Sequence, residues 1–182
     1  MKLLFFGGAV ALVFALLSAF FSSPPENIRL DRMVELGAIA PGETLYFRWG
    51  GREVVVLHRD AEMLAAVQGD VPLKDPSSRL STQPRALRNE YRSYDPAWFV
   101  AYAASTDLGC SLIVVPTQEA QAEAPPWSGG FRDECRGGRY DFAGRVLEGE
   151  PGLRNLEIPA YLWLEEPTPT IELPAIRLLA DG

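Results

Sequence analysis

The chain opens on a long apolar run and then alternates short apolar segments with turn-forming residues. Residues 3–21 carry no charged side chain. As a helix they would extend roughly 28 Å, close to the hydrocarbon thickness of a bilayer. The run predicts a transmembrane anchor over residues 1–23; a cleaved signal peptide is the alternative. Lys2 precedes the run, and Ser18-Ala19 is followed by Phe20 and Phe21 instead of a small-residue exit, which favours the anchor. Pro24 and Pro25 cannot continue a helix, so residues 24–32 read as a hinge. Beyond it, strands are predicted over 33–39, 45–49, 53–57, 98–102, 112–115, 139–142, 145–147, 156–158, 161–164 and 171–179. Gly50-Gly51 marks a two-residue hairpin. One short helix is predicted over 60–68, with Asp60 as its N-cap. Residues 72–94 are Arg-rich and irregular, and 117–126 read as an acidic loop. Many short strands with Gly and Pro turns predict an all-β fold of stacked antiparallel sheets.

Composition narrows the function more than the fold. The 182 residues suit one modest β domain plus the tail, and 47% hydrophobic residues suffice for a core. A net charge of −7 excludes nucleic acid as the expected partner and a polybasic attachment to lipid headgroups. The chain holds two cysteines, Cys110 and Cys135, and one histidine, His58. His58 follows the apolar run 54–57, far along the chain from both cysteines.

Each cysteine lies in a distinctive box. The first is Ser105-Thr106-Asp107-Leu108-Gly109-Cys110; the second is Asp133-Glu134-Cys135-Arg136-Gly137-Gly138-Arg139-Tyr140-Asp141. They resemble the cluster-binding loops of the Rieske iron–sulfur family, which run Cys-Thr-His-Leu-Gly-Cys and Cys-Pro-Cys-His-Gly-Ser. The likeness extends to Pro41-Gly42-Glu43, to Arg48-Trp49-Gly50-Gly51-Arg52 and to Asn89-Glu90-Tyr91-Arg92-Ser93. It continues through Arg139-Tyr140-Asp141-Phe142-Ala143-Gly144-Arg145-Val146 and Asn155-Leu156-Glu157-Ile158-Pro159-Ala160-Tyr161. Together these segments resemble a bacterial iron–sulfur subunit of ubiquinol–cytochrome c reductase. The resemblance implies a base domain formed by 33–104 and 147–182, with a cluster-binding subdomain at 105–146. It also implies a single-pass protein of the bacterial inner membrane, with a cytoplasmic N-terminus and a periplasmic β domain. In the family the second cysteine of each box forms a disulfide, so Cys110 and Cys135 are expected to be bridged; two separate buried thiols are the alternative.

The family's four ligand positions are held here by Ser105, Asp107, Asp133 and Arg136. A Rieske centre takes two thiolates and two imidazoles. The expectation is therefore a degenerate site with no 2Fe-2S cluster, no metal and no catalytic residue, in a chain that is not an enzyme. Asp107 and Arg136 replace residues that would meet at one iron, so a salt bridge between them is expected, with independently solvated charges as the alternative. A hard cation on Asp107, Asp133, Glu134 and Asp141 is a further, less favoured reading. The functional expectation is a non-redox, structural subunit of a respiratory cytochrome bc-type complex or supercomplex. Its partners would be cytochrome b and cytochrome c1-type subunits or an adjoining oxidase. A transient assembly or regulatory factor is the alternative, and an active iron–sulfur subunit is the reading least favoured.

Overall fold

The computed structural model describes residues 31–168 and 170–180. The expected anchor and most of the hinge lie outside these residues. Among the described residues no helix is long and apolar enough to cross a membrane.

Among the described residues, nine short strands form three antiparallel sheets of three strands each. In the central sheet, β2 (Thr44–Trp49), β3 (Arg52–His58) and β4 (Trp98–Tyr102) lie in the order β2-β3-β4. Trp49 pairs with Arg52, so Gly50 and Gly51 are the whole connection. Both have positive φ, 56° and 78°, as a tight hairpin that follows the strand twist requires. Val54 to Leu57 and all of β4 are buried. That is why these strands read as unbroken apolar runs instead of alternating ones.

A second sheet has the order β1-β9-β8, from β1 (Arg32–Glu35), β8 (Tyr161–Leu164) and β9 (Ala175–Leu178). It joins the two ends of the described chain. The third has the order β5-β6-β7, from β5 (Leu112–Val115), β6 (Gly130–Asp133) and β7 (Arg139–Tyr140). One hydrophobic cluster runs through all three, including Val34, Phe99, Phe131, Tyr140, Tyr161 and Ile176.

The helix α1 (Ala61–Val67) is capped by Asp60, whose carboxylate accepts the Met63 N–H at 2.8 Å. Its buried residues, Met63 and Val67, are four positions apart and share one face.

Three local expectations are corrected. Residues 156–158 form no strand, because their main-chain bonds go to separate places. Leu156 N–H donates to Gly144, the Glu157 carbonyl accepts from Tyr102, and Ile158 N–H donates to Thr82. Residues 145–147 likewise make only isolated bridges, Tyr140 to Val146 and Leu73 to Leu147. Side chains of Asp141 and Asn155 take the N–H groups of Arg145 and Val146 at 2.8 and 3.0 Å. The acidic loop contains a short helix, α2 (Thr117–Gln121), which buries Ala120 in a small cluster with Val115, Trp127 and Leu147.

Candidate functional site

Both boxes lie at one end of the β5-β6-β7 sheet. The first leads into β5, closed at its base by the Ala104–Ser111 bridge. The second is the connection from β6 to β7. Leu112 pairs with Asp133, so the register sets the loops side by side. Cys110 and Cys135 are joined in a disulfide with Cα atoms 6.0 Å apart.

Ser105, Asp107, Asp133 and Arg136 each have a partner within the protein. Ser105 is buried; its hydroxyl donates to Asp107 Oδ1 at 2.8 Å and accepts the Cys110 N–H at 3.0 Å. Asp107 Oδ2 lies 3.1 Å from Arg136 Nη1, with the Asp107 side chain 7% exposed and that of Arg136 54%. Burial opposes ionisation of Asp107. It is outweighed by hydrogen bonds from Ser105 and from the main-chain N–H groups of Leu108 and Asp107, and by the Arg136 charge, so the carboxyl is held below its ordinary range. Asp133, 2% exposed, accepts main-chain N–H groups of Cys135 and Arg136 on Oδ1 at 3.0 and 2.7 Å, and of Gly138 on Oδ2 at 2.7 Å.

Tyr140 ties the boxes to the following loop. Its hydroxyl accepts the Thr106 N–H at 3.0 Å and lies 3.1 Å from Thr106 Oγ1, which donates to the Arg154 carbonyl. Burial pushes the Tyr140 phenol up, against the lowering effect of its bonds with Thr106. Residues 149–152 cover this region: a side chain on Gly138 would meet Pro151, and one on Gly152 would meet Tyr140.

Two buried arginines fix the exit of the second box to the central sheet, a role that the residue pattern did not reveal. Arg92, fully buried, donates to the carbonyls of Ala143 and Gly144 at 3.0 Å and of Leu156 at 2.6 Å. Arg59 donates to the carbonyls of Phe142 at 2.9 Å and of Tyr91 and Pro96 at 2.7 Å. Desolvation pushes the guanidinium of Arg59 down to about 9 and that of Arg92 to about 10, opposed in both by Asp141. Asn89–Ser93 stood out in the sequence only through the family likeness. A buried arginine that bonds distant carbonyls leaves no local periodicity.

A hydroxyl, two carboxylates and a guanidinium do not fit the donor set of a Rieske cluster. Both sulfurs are committed to each other, and His58, with Nδ1 2.6 Å from the Ile39 carbonyl, stacks on Trp98 in the central sheet. Among the described residues, candidate metal-ligand atoms come together at Cys110, Asp133 and Cys135. Of the other carboxylates considered for a hard cation, Asp141 is held by Arg145 Nε at 2.6 Å, and Glu134 is on an exposed residue.

Known proteins locate this β domain and its cross-linked loops within a family. The ubiquinol–cytochrome c reductase iron–sulfur subunit of Allochromatium vinosum is 38% identical over 135 residues, 74% of this chain and 65% of that protein. The mitochondrial cytochrome b-c1 complex subunit Rieske of Candida albicans is 34% identical over 170 residues, 92% of this chain and 70% of that protein. The corresponding Rieske-1 subunit of Arabidopsis thaliana is 33% identical over 135 residues, 73% of this chain and 42% of that protein. A chain of a hyperthermophilic respiratory Complex III aligns over 96% of this chain and 95% of its own length, at 16% identity and a TM-score of 0.46. No protein-family model matches. The chain belongs to the family of Rieske iron–sulfur subunits of ubiquinol–cytochrome c reductase, the cytochrome b-c1 complex.

Membership corrects two expectations. The readings that the chain is not an enzyme and has no cofactor are overturned by relatives named as iron–sulfur subunits of a reductase. A ligand count in one chain tests one type of coordination.

Proposed function

We propose that this chain is a membrane-anchored Rieske-type subunit of a respiratory cytochrome bc-type complex or of a supercomplex built on one, with a structural part in that assembly. Residues 1–23 anchor it and 24–32 act as a hinge. Residues 33–104 and 147–182 form the base, and 105–146 form the loop-bearing subdomain on the periplasmic side of a bacterial inner membrane. The β5-β6-β7 sheet and both boxes come from one continuous stretch, whereas the β1-β9-β8 sheet draws on both ends of the described chain; both facts support that division.

The observation that carries the structural role is the engagement of Ser105, Asp107, Asp133 and Arg136 by one another and by the main chain. The aligned segment spans 65% of the length of the Allochromatium protein. The partners proposed here are cytochrome b and cytochrome c1-type subunits or an adjoining oxidase.

The test uses the tagged full chain, recovered under gentle solubilisation. Near-equal recovery with cytochrome b and c1-type subunits or an oxidase is expected. Deleting the gene should lower the amount of assembled complex and leave quinol oxidation per remaining complex unchanged. A fall in turnover per complex would assign the chain an electron-transfer role instead. Substoichiometric recovery would point to an assembly factor, and recovery as a free monomer would overturn the proposal.

A further inference from the structure

Asp133 is the most completely enclosed carboxylate of the two boxes, and it faces main chain on every hydrogen-bonding side. Three N–H groups, from Cys135, Arg136 and Gly138, converge on its oxygens at 3.0, 2.7 and 2.7 Å. Its own N–H donates to the Gly138 carbonyl at 2.9 Å, and its carbonyl accepts the Gly137 N–H at 3.1 Å. Successive main-chain N–H groups turned inward make a concavity that binds anions. Bonds from such groups to a carboxylate are charge-assisted.

The fit leaves no room at one point. A Cβ on Gly138 would lie 2.5 Å from Asp133 Oδ2 and 2.9 Å from Pro151 Cγ. The missing side chain at 138 and the carboxylate at 133 therefore occupy adjoining space. The loop so closed carries Cys135 into its disulfide and Arg136 to within 3.1 Å of Asp107.

We infer that the Asp133 carboxylate is a built-in anion that fills the main-chain nest of residues 135–138. It is the positioning residue of the second box, with Gly138 as its steric partner. The nest is a site for a small oxyanion, and the protein occupies it with its own side chain. Emptying it should create a site for an external carboxylate of matching size.

The full chain in detergent is compared with Asp133→Ala, Asp133→Asn, Gly138→Ala and the double variant Asp133→Ala/Gly138→Ala. The first readout is the rate at which a dithiol reduces Cys110–Cys135, the dithiol closing to its cyclic disulfide as the two sulfurs gain two electrons and two protons. Asp133→Ala should speed reduction about tenfold or more, as loss of charge-assisted bonds to a buried group implies. Formate should reverse this in Asp133→Ala and leave the wild-type rate unchanged. Gly138→Ala should lower the melting temperature strongly in the wild type and markedly less beside Asp133→Ala. If Asp133→Ala does not accumulate, Asp133→Asn serves: its amide turns an N–H₂ toward the nest, and faster reduction is again expected. A wild-type reduction rate in Asp133→Asn, formate acting equally on wild type and Asp133→Ala, or an equal cost of Gly138→Ala in both backgrounds would each overturn the inference.

Discussion

At the scale of single residues, buried polar side chains decide the geometry of the boxes. Asp107 provides a direct pH test. Its carboxyl titrates near 3.9 when unfolded and is held lower in the folded protein by Ser105, main-chain N–H groups and Arg136. The resulting stability is fully present above the unfolded value and is lost as pH falls through the folded one. Asp107→Asn should therefore flatten that acid limb of the stability profile, measured by denaturant midpoints from about pH 6 down to about pH 3. Arg92 tests the clamp behind the boxes. Arg92→Met removes a donor from the carbonyls of Ala143, Gly144 and Leu156, of which Gly144 keeps the Leu156 N–H. A loss of about 3 kcal/mol or more is expected in chemical denaturation. A change below about 0.5 kcal/mol, the range of an ordinary surface substitution, would refute the clamp.

At the scale of elements, the apolar runs located four strands, and the runs 54–57 and 98–102 are buried along their length. Val54 to Leu57, Trp98 to Tyr102, Leu112 to Val115 and Tyr161 to Leu164 all form strands where the pattern predicts them. The pattern failed at 145–147 and 156–158, which each hold one charged residue and are bonded by side chains or by scattered carbonyls. Local hydrophobicity reports burial; it does not report which distant group satisfies an N–H. The α1 cap was legible because an N-cap acts within one turn, and Asp60→Ala should cost about 1 kcal/mol, read from the thermal melting shift. The disulfide closes a loop with a sequence separation of 25 residues. Cys110→Ser with Cys135→Ser should cost about 3 kcal/mol by loop-closure entropy, measured as a drop in the denaturant midpoint.

At the scale of the whole molecule, a single hydrophobic cluster spans the three sheets, and Arg59 and Arg92 bind carbonyls at 142–144 from the side of the central sheet. The box-bearing sheet should therefore unfold together with the rest. Circular dichroism and tryptophan fluorescence, with Trp127 reporting near the box-bearing sheet and Trp98 in the central one, should give coincident transitions. Separate midpoints would show that the two regions unfold independently.

The sequence by itself determined the all-β class, the hairpin at Gly50-Gly51, the helix at Asp60 and the family, because apolar runs, turn residues and box spacings are local signals. Only the tertiary structure decided what the boxes do with their polar side chains. It placed the Asp133 carboxylate among three main-chain N–H groups against Gly138, and the guanidinium of Arg92 among carbonyls 51 to 64 residues away. The physical reason is that a buried polar group must find a partner, and the partner is fixed by how the chain folds back on itself.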